Sequence, residues 1–167
     1  MSTPTVLDLE ASGFGRGSYP IEVGFIDGDG AVFCSLIQPM PDWVHWDDSA
    51  QALHGISREI LLQYGKPSAW VAQELNRRLH GQRVYCDAWA HDYPWLSRLF
   101  DAADLVPAFQ LCDLRQLLTD VEQARWAATA DEVRRGLAQR RHRASADARV
   151  IQETWLAIRT VKEQVLG

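Results

Sequence analysis

The sequence predicts an α/β fold, one mixed sheet with helices packed against it. Three observations carry this. The chain opens as an antiparallel meander, with a strong Asp-Gly turn between two apolar runs. Its later short apolar runs are separated by segments with helical spacing. Finally, 167 residues with a 47% apolar and 23% charged composition suffice for a full core, and point to a single domain over residues 1–167.

Residues 4–9 read as the first strand and "IEVGFI", 21–26, as the second. "DGDG", 27–30, supplies a hairpin turn, because glycine there accommodates positive φ. "AVFCSLI", 31–37, is the third strand. Residues 39–55 read as a long loop with Pro39, Pro41, Trp43 and Trp46. A short helix is predicted over 57–63, and a second over 67–80, where Pro67 suits a first turn and apolar residues fall at 70, 71, 75 and 79. "RVYC", 83–86, is a short strand. A helix follows over about 92–103, with Leu96, Leu99 and Phe100 on one side. "FQLC", 109–112, completes the strands. Two helical segments are expected at about 113–125 and 129–138, and a last helix at about 144–165. Its buried stripe is Ile151, Trp155, Ile158 and Val165, and Asp147 lies on that stripe, four residues before Ile151.

Net charge is −5, which argues against a broad, non-specific nucleic-acid binder. The charge is uneven: "RRGLAQRRHR", 134–143, holds five Arg and no acid, enough to hold a phosphate locally. Cys34, Cys86 and Cys112 are odd in number, far apart and in apolar surroundings; they read as buried free thiols in a reducing compartment. No apolar window is long enough for a transmembrane helix, and no secretory signal is visible. A cytoplasmic protein is expected.

Four acids stand where acids are disfavoured. Asp8 and Glu10 sit two apart on the first strand, so both side chains face one way. Asp92 follows a short strand, and Asp147 is on the inner face of the last helix. His142 precedes Asp147 by five residues, a step that turns two helical side chains about 140° apart; His142 is therefore expected in the preceding turn. Taken singly, each has a structural explanation: an exposed edge pair, a helix N-cap, a first-turn acid favoured by the helix dipole, a solvated turn histidine. Taken together, gathered carboxylates repel and resist ionisation. Hard divalent cations resolve this by taking oxygen ligands, and two such ions can clamp the attacking and leaving oxygens of a phosphoryl displacement. An imidazole, which as a class titrates near neutrality, can take a proton from water.

The order of these residues resembles the DEDDh family of 3′→5′ exonucleases, whose members include the proofreading subunit of bacterial DNA polymerase III, ribonuclease T and oligoribonuclease-like enzymes. "VLDLEASGF" is similar to its first motif, "AWAHDYPWL" to its second and "HRASADA" to its third, over roughly residues 4–158. The resemblance implies a ribonuclease H-like fold with a five-stranded mixed β-sheet flanked by α-helices. It implies two Mg²⁺ or Mn²⁺ ions held by Asp8, Glu10, Asp92 and Asp147, with His142 as general base. It implies hydrolysis at the 3′ end of single-stranded DNA or RNA, or of short oligonucleotides, releasing nucleoside 5′-monophosphates.

"LHGIS", 53–57, is similar to the family segment beside the 3′-terminal nucleotide. Backbone around Glu10, Ala11, Ser12 and Gly13, with the side chains of His54 and Ile56, is then expected to contact that nucleotide. Ala11 stands where many members have Thr, Ala88 where many have Asn, and His91 where many have an aromatic. Trp46 and Trp89 are candidates for base stacking. Arg140, Arg141 and Arg143 flank the expected base and are candidates for phosphate contact. His45 is expected to be exposed, and His91 to cap or pack. A non-catalytic nucleic-acid- or protein-binding module on the same fold is the alternative reading. The last helix or exposed Trp residues could serve a homodimer.

Overall fold

The computed structural model describes residues 2–137 and 142–165. Five strands form one mixed sheet in the order β3-β2-β1-β4-β5. They are β1 (Thr5–Ala11), β2 (Pro20–Ile26), β3 (Val32–Leu36), β4 (Arg83–Cys86) and β5 (Gln110–Asp113). β1 pairs antiparallel with β2 and parallel with β4. β2–β3 is antiparallel and β4–β5 parallel. The first three strands are therefore the expected meander, and the last two are reached by helical crossovers. At the meander turn, the Asp27 carboxylate accepts from the backbone N–H of Asp29 and of Ala31, and Gly30 takes φ 87°.

Alternation along β1 sorts its side chains. Leu7 and Leu9 join a core with Val23, Phe25, Leu75, Leu99 and Phe100. That core lies beneath α3 (Ser68–Leu79) and α4 (Trp89–Ala102). Val6 faces the other way, into a cluster with Ile26, Tyr85, Cys112, Ile151 and Trp155, under α6 (Ala144–Val165). Burying each large aliphatic side chain contributes roughly 1.5–3 kcal/mol. Asp8 and Glu10 share the α6 side with Val6 by the two-residue period. Ile151, Trp155 and Ile158 are buried as the stripe requires; the side chain of Val165 lies outside the described residues. Gln152 fixes the helix to the sheet, its amide donating to the Pro4 and Asp27 carbonyls, both at 2.8 Å.

Several expectations are corrected. The 39–55 segment is not wholly a loop: α1 (Asp48–His54) forms within it. Its signals are local, Asp47 accepting from the Ser49 N–H as N-cap and Gly55 at φ 70° closing it. α2 is Arg58–Tyr64, capped by Ser57. In α3, Val71, Leu75 and Leu79 are buried but Trp70 is exposed. α4 starts at Trp89 rather than 92. The two helical segments expected between 113 and 138 are instead a single 3-10 turn, Leu114–Leu117, and one continuous helix, α5 (Asp120–Leu137). No helix breaker separates 125 from 129, and Thr119 with Glu122 forms the reciprocal start, each bonding the other's backbone N–H. Cys34 is exposed on the edge strand, contrary to its expected burial, whereas Cys86 and Cys112 are buried. The pleat decides this, since β3 alternates and Phe33 and Ser35 take the inward positions. His45 is half-buried rather than exposed, its Nδ1 3.0 Å from Ser12 Oγ. His91 packs, edge-on to Phe14 and stacked on Trp95. Among the described residues no helix is long and apolar enough to cross a membrane.

Candidate active site

The site is built where β1 and β4 end. Asp8 lies on β1, opposite Gly24 of β2. Glu10 lies two residues on, at a bulge between Glu10 and Ala11; such a bulge bends a strand and re-aims its side chains. Asp92 belongs to the first turn of α4, a helix packed on the opposite face, yet its carboxylate reaches that of Asp8. Asp147 lies in the first turn of α6. His142 is in the turn before that helix, at φ 60°, a left-handed conformation uncommon for a non-glycine residue.

The side chains fall into two groups. Ligand atoms of Glu10, His142 and Asp147 all lie within 4.8 Å of one another, and so do those of Asp8, Asp87 and Asp92. Asp8, Asp87, His142 and Asp147 line one cleft of about 330 Å³, together with Asp131, Arg134 and Ile151. The five residues expected to carry chemistry are thus brought together from three separate stretches of chain.

The electrostatics are those of buried acids gathered close together. Asp8 is held well above the usual carboxylate range, by desolvation first and then by Asp92, Glu10, Asp147 and Asp87. Glu10 is pushed up to about 8, again by desolvation first, then by Asp147 and Glu22, with Arg143 opposing. Desolvation also raises Asp92, with Asp87 adding to it. Asp147 is raised by desolvation, against the lowering influence of His142 and Arg134. Asp92 is 1% exposed and its Oδ2 has no hydrogen-bond partner among the described residues. A buried carboxylate oxygen left unbonded is costly, and a hard divalent cation is the ligand that this donor set fits. On these grounds the residues present suit metal.

Two residues not singled out in the sequence set the geometry of α6. Glu22, 1% exposed on β2, binds the Arg143 guanidinium at 2.6 Å and accepts from the Ala144 N–H at 2.9 Å, an acid placed at a helix N-terminus. The available signal was a third acid inside an apolar strand, "IEVGFI". Gly24 permits the approach itself: a Cβ there would lie 2.3 Å from the Ser145 backbone nitrogen and 2.7 Å from the Ala144 carbonyl carbon.

The expected nucleotide-contacting residues have definite places. Ala11 and Ser12 are buried, and Ser12 Oγ accepts from the Tyr19 N–H. Gly13 has φ 144°, and a Cβ there would meet Asp47 Cβ at 2.6 Å, so only glycine fits. His54 is buried, its Nδ1 accepting from the Ile56 N–H, its Nε2 buried without a partner among the described residues. Desolvation lowers the His54 pKa, with Glu22 opposing. Ile56 is buried. Trp89 is 38% exposed and stacks on Tyr93 at 4.9 Å. Trp46 donates to Gln51, and Trp43 is buried against Tyr19. The Arg143 guanidinium is engaged by Glu22; Arg140 and Arg141 lie outside the described residues.

No family model and no curated protein matches the sequence. Solved structures do match the fold. E. coli Exonuclease I in complex with a dT13 oligonucleotide is similar at TM-score 0.74 and 15% identity, over 99% of this chain and 43% of its own. The zinc-ion-bound form of the E. coli enzyme with single-stranded DNA gives 0.69 and 14%, over 98% of this chain and 42% of its own. Exonuclease I from Methylocaldum szegediense gives 0.57 and 14%, over 75% and 30%. This chain thus spans less than half the length of each. The five-stranded mixed sheet with its flanking helices is a ribonuclease H-like α/β fold.

Proposed function

We propose that the protein is a metal-dependent 3′→5′ exonuclease acting on single-stranded DNA or RNA and releasing nucleoside 5′-monophosphates. One observation carries this reading: Asp8, Glu10, Asp92, His142 and Asp147 converge at the ends of β1 and β4, with all four carboxylates raised by burial and those of Asp8, Glu10 and Asp92 also by neighbouring acids. The fold shared with Exonuclease I bound to dT13 supports it.

In this reading Asp8, Glu10, Asp92 and Asp147 would hold two Mg²⁺ or Mn²⁺ ions, which would supply Lewis-acid charge for phosphodiester hydrolysis. His142 sits beside Glu10 and Asp147, where its imidazole takes a proton from the attacking water. The left-handed turn at His142, locked by the Glu22–Arg143 ion pair next to it, aims the ring. The backbone of Ala11, Ser12 and Gly13, with His54 and Ile56, forms the wall against which the terminal nucleotide rests. A binding module would need no imidazole at this position.

The test is incubation of purified protein with 3′- and 5′-labelled DNA, RNA and dinucleotides in Mg²⁺, Mn²⁺ or chelator. Stepwise shortening from the 3′ end that chelator stops is the expected result. No digestion of any substrate would overturn the proposal.

A further inference from the structure

A fifth acid belongs to the site. Asp87 follows the last residue of β4, just ahead of the second motif and outside the four acids of the resemblance. Its carboxylate meets those of Asp8 and Asp92, all within 4.8 Å, and it lines the same cleft as His142 and Asp147. It is exposed at the cleft mouth and forms no ion pair within 4.0 Å among the described residues, although Arg134 lines the same cleft. Three carboxylates this close repel one another and resist ionisation. The neighbouring Asp92 Oδ2, buried and without a hydrogen-bond partner among the described residues, points to a cation as its ligand.

We propose that Asp87 is a direct ligand of one divalent ion, completing an Asp8–Asp87–Asp92 site distinct from the Glu10–Asp147 site. The inference rests on the metal-dependent reading above. It makes the two sites unequal. One has three carboxylates and no imidazole; the other has two carboxylates beside His142. Three negative ligands favour a hard cation more than two do, so the Asp87 site is the tighter of the pair.

Titrating the full chain with Mn²⁺, followed by calorimetry and by the free-Mn²⁺ paramagnetic resonance signal, tests this without reference to turnover. The intact protein is expected to take two ions. Asp87→Asn, and Asp87→Ala as a second variant, should weaken the tighter site at least about tenfold and leave the weaker one unchanged. Asp147→Asn should do the reverse. Thermal melts establish that each variant is folded. Two sites of unaltered affinity in both Asp87 variants would overturn the inference while leaving the metal-dependent reading standing. No Mn²⁺ uptake by the intact protein would overturn both.

Discussion

The two acidic groups of the cleft are built differently. Asp8 comes from the centre of the sheet, and Asp87 and Asp92 from the adjoining β4–α4 connection and the first turn of α4. Glu10, His142 and Asp147 join a strand bulge to residues more than a hundred positions later. The first group is all acid. The second contains an imidazole, with Arg143 close enough to lower the Glu10 pKa. The difference separates an all-acid group at the β1 and β4 ends from a half that depends on where α6 starts. In the proposed reaction, proton transfer falls to the half assembled by long-range contacts.

Asp8 belongs to the three-acid group and also feels the charges of Glu10 and Asp147, so its loss is expected to have the largest effect. Asp8→Asn should reduce hydrolysis to background with the fold intact, measured by product ladders beside circular dichroism. Full activity in Mg²⁺ would remove Asp8 as a metal ligand. His142→Ala breaks only the second half. It should cost about 10²–10⁴-fold in rate, alter the pH–rate profile and leave Mn²⁺ binding in place; an unchanged profile would remove His142 as the base.

Gly24→Ala tests the dependence on α6 more gently. The added Cβ must push the Ser145 backbone away, costing about 1–3 kcal/mol in urea unfolding. It should slow hydrolysis while sparing metal binding at Asp8, Asp87 and Asp92. Equal damage to both halves would show that they are not separable in this way.

The smallest effect sharpens the comparison through pH. Glu10 is raised from an ordinary 4.5 to about 8, so the folded state holds a proton that the unfolded state releases. Stability of the metal-free protein is then fullest below about 4.5 as far as this group is concerned, and falls as pH rises towards about 8. Asp8, Asp92 and Asp147 act in the same direction. A divalent cation, binding the ionised carboxylates of the fold, should flatten the slope. Melting temperatures across that range, with chelator or Mg²⁺, measure it; a slope unaffected by Mg²⁺ would count against cation binding by these acids.

Much of this was legible along the chain. Two-residue alternation placed Asp8 and Glu10 on one face, and the five-residue step put His142 in a turn ahead of Asp147. Both follow from local geometry, which sequence spacing encodes. The Asp87 carboxylate was not legible, because nothing in "CDAWAHD" distinguishes a solvated loop acid from one aimed at Asp8. Nor was the role of Glu22, whose partners lie more than a hundred residues away. The continuous α5 departs from the two expected segments for a local reason: Thr119 and Glu122 set one helix start and no breaker separates 125 from 129.

By itself, the sequence determined which residue types could do chemistry and which faces of their elements they occupy, because strand and helix periods are properties of the backbone. Tertiary structure alone decided which acids meet. The bulge at Glu10, the bare backbone of Gly24 and the Glu22–Arg143 ion pair set the position of α6 relative to β1. Those are contacts between distant segments, and no local rule fixes their distances.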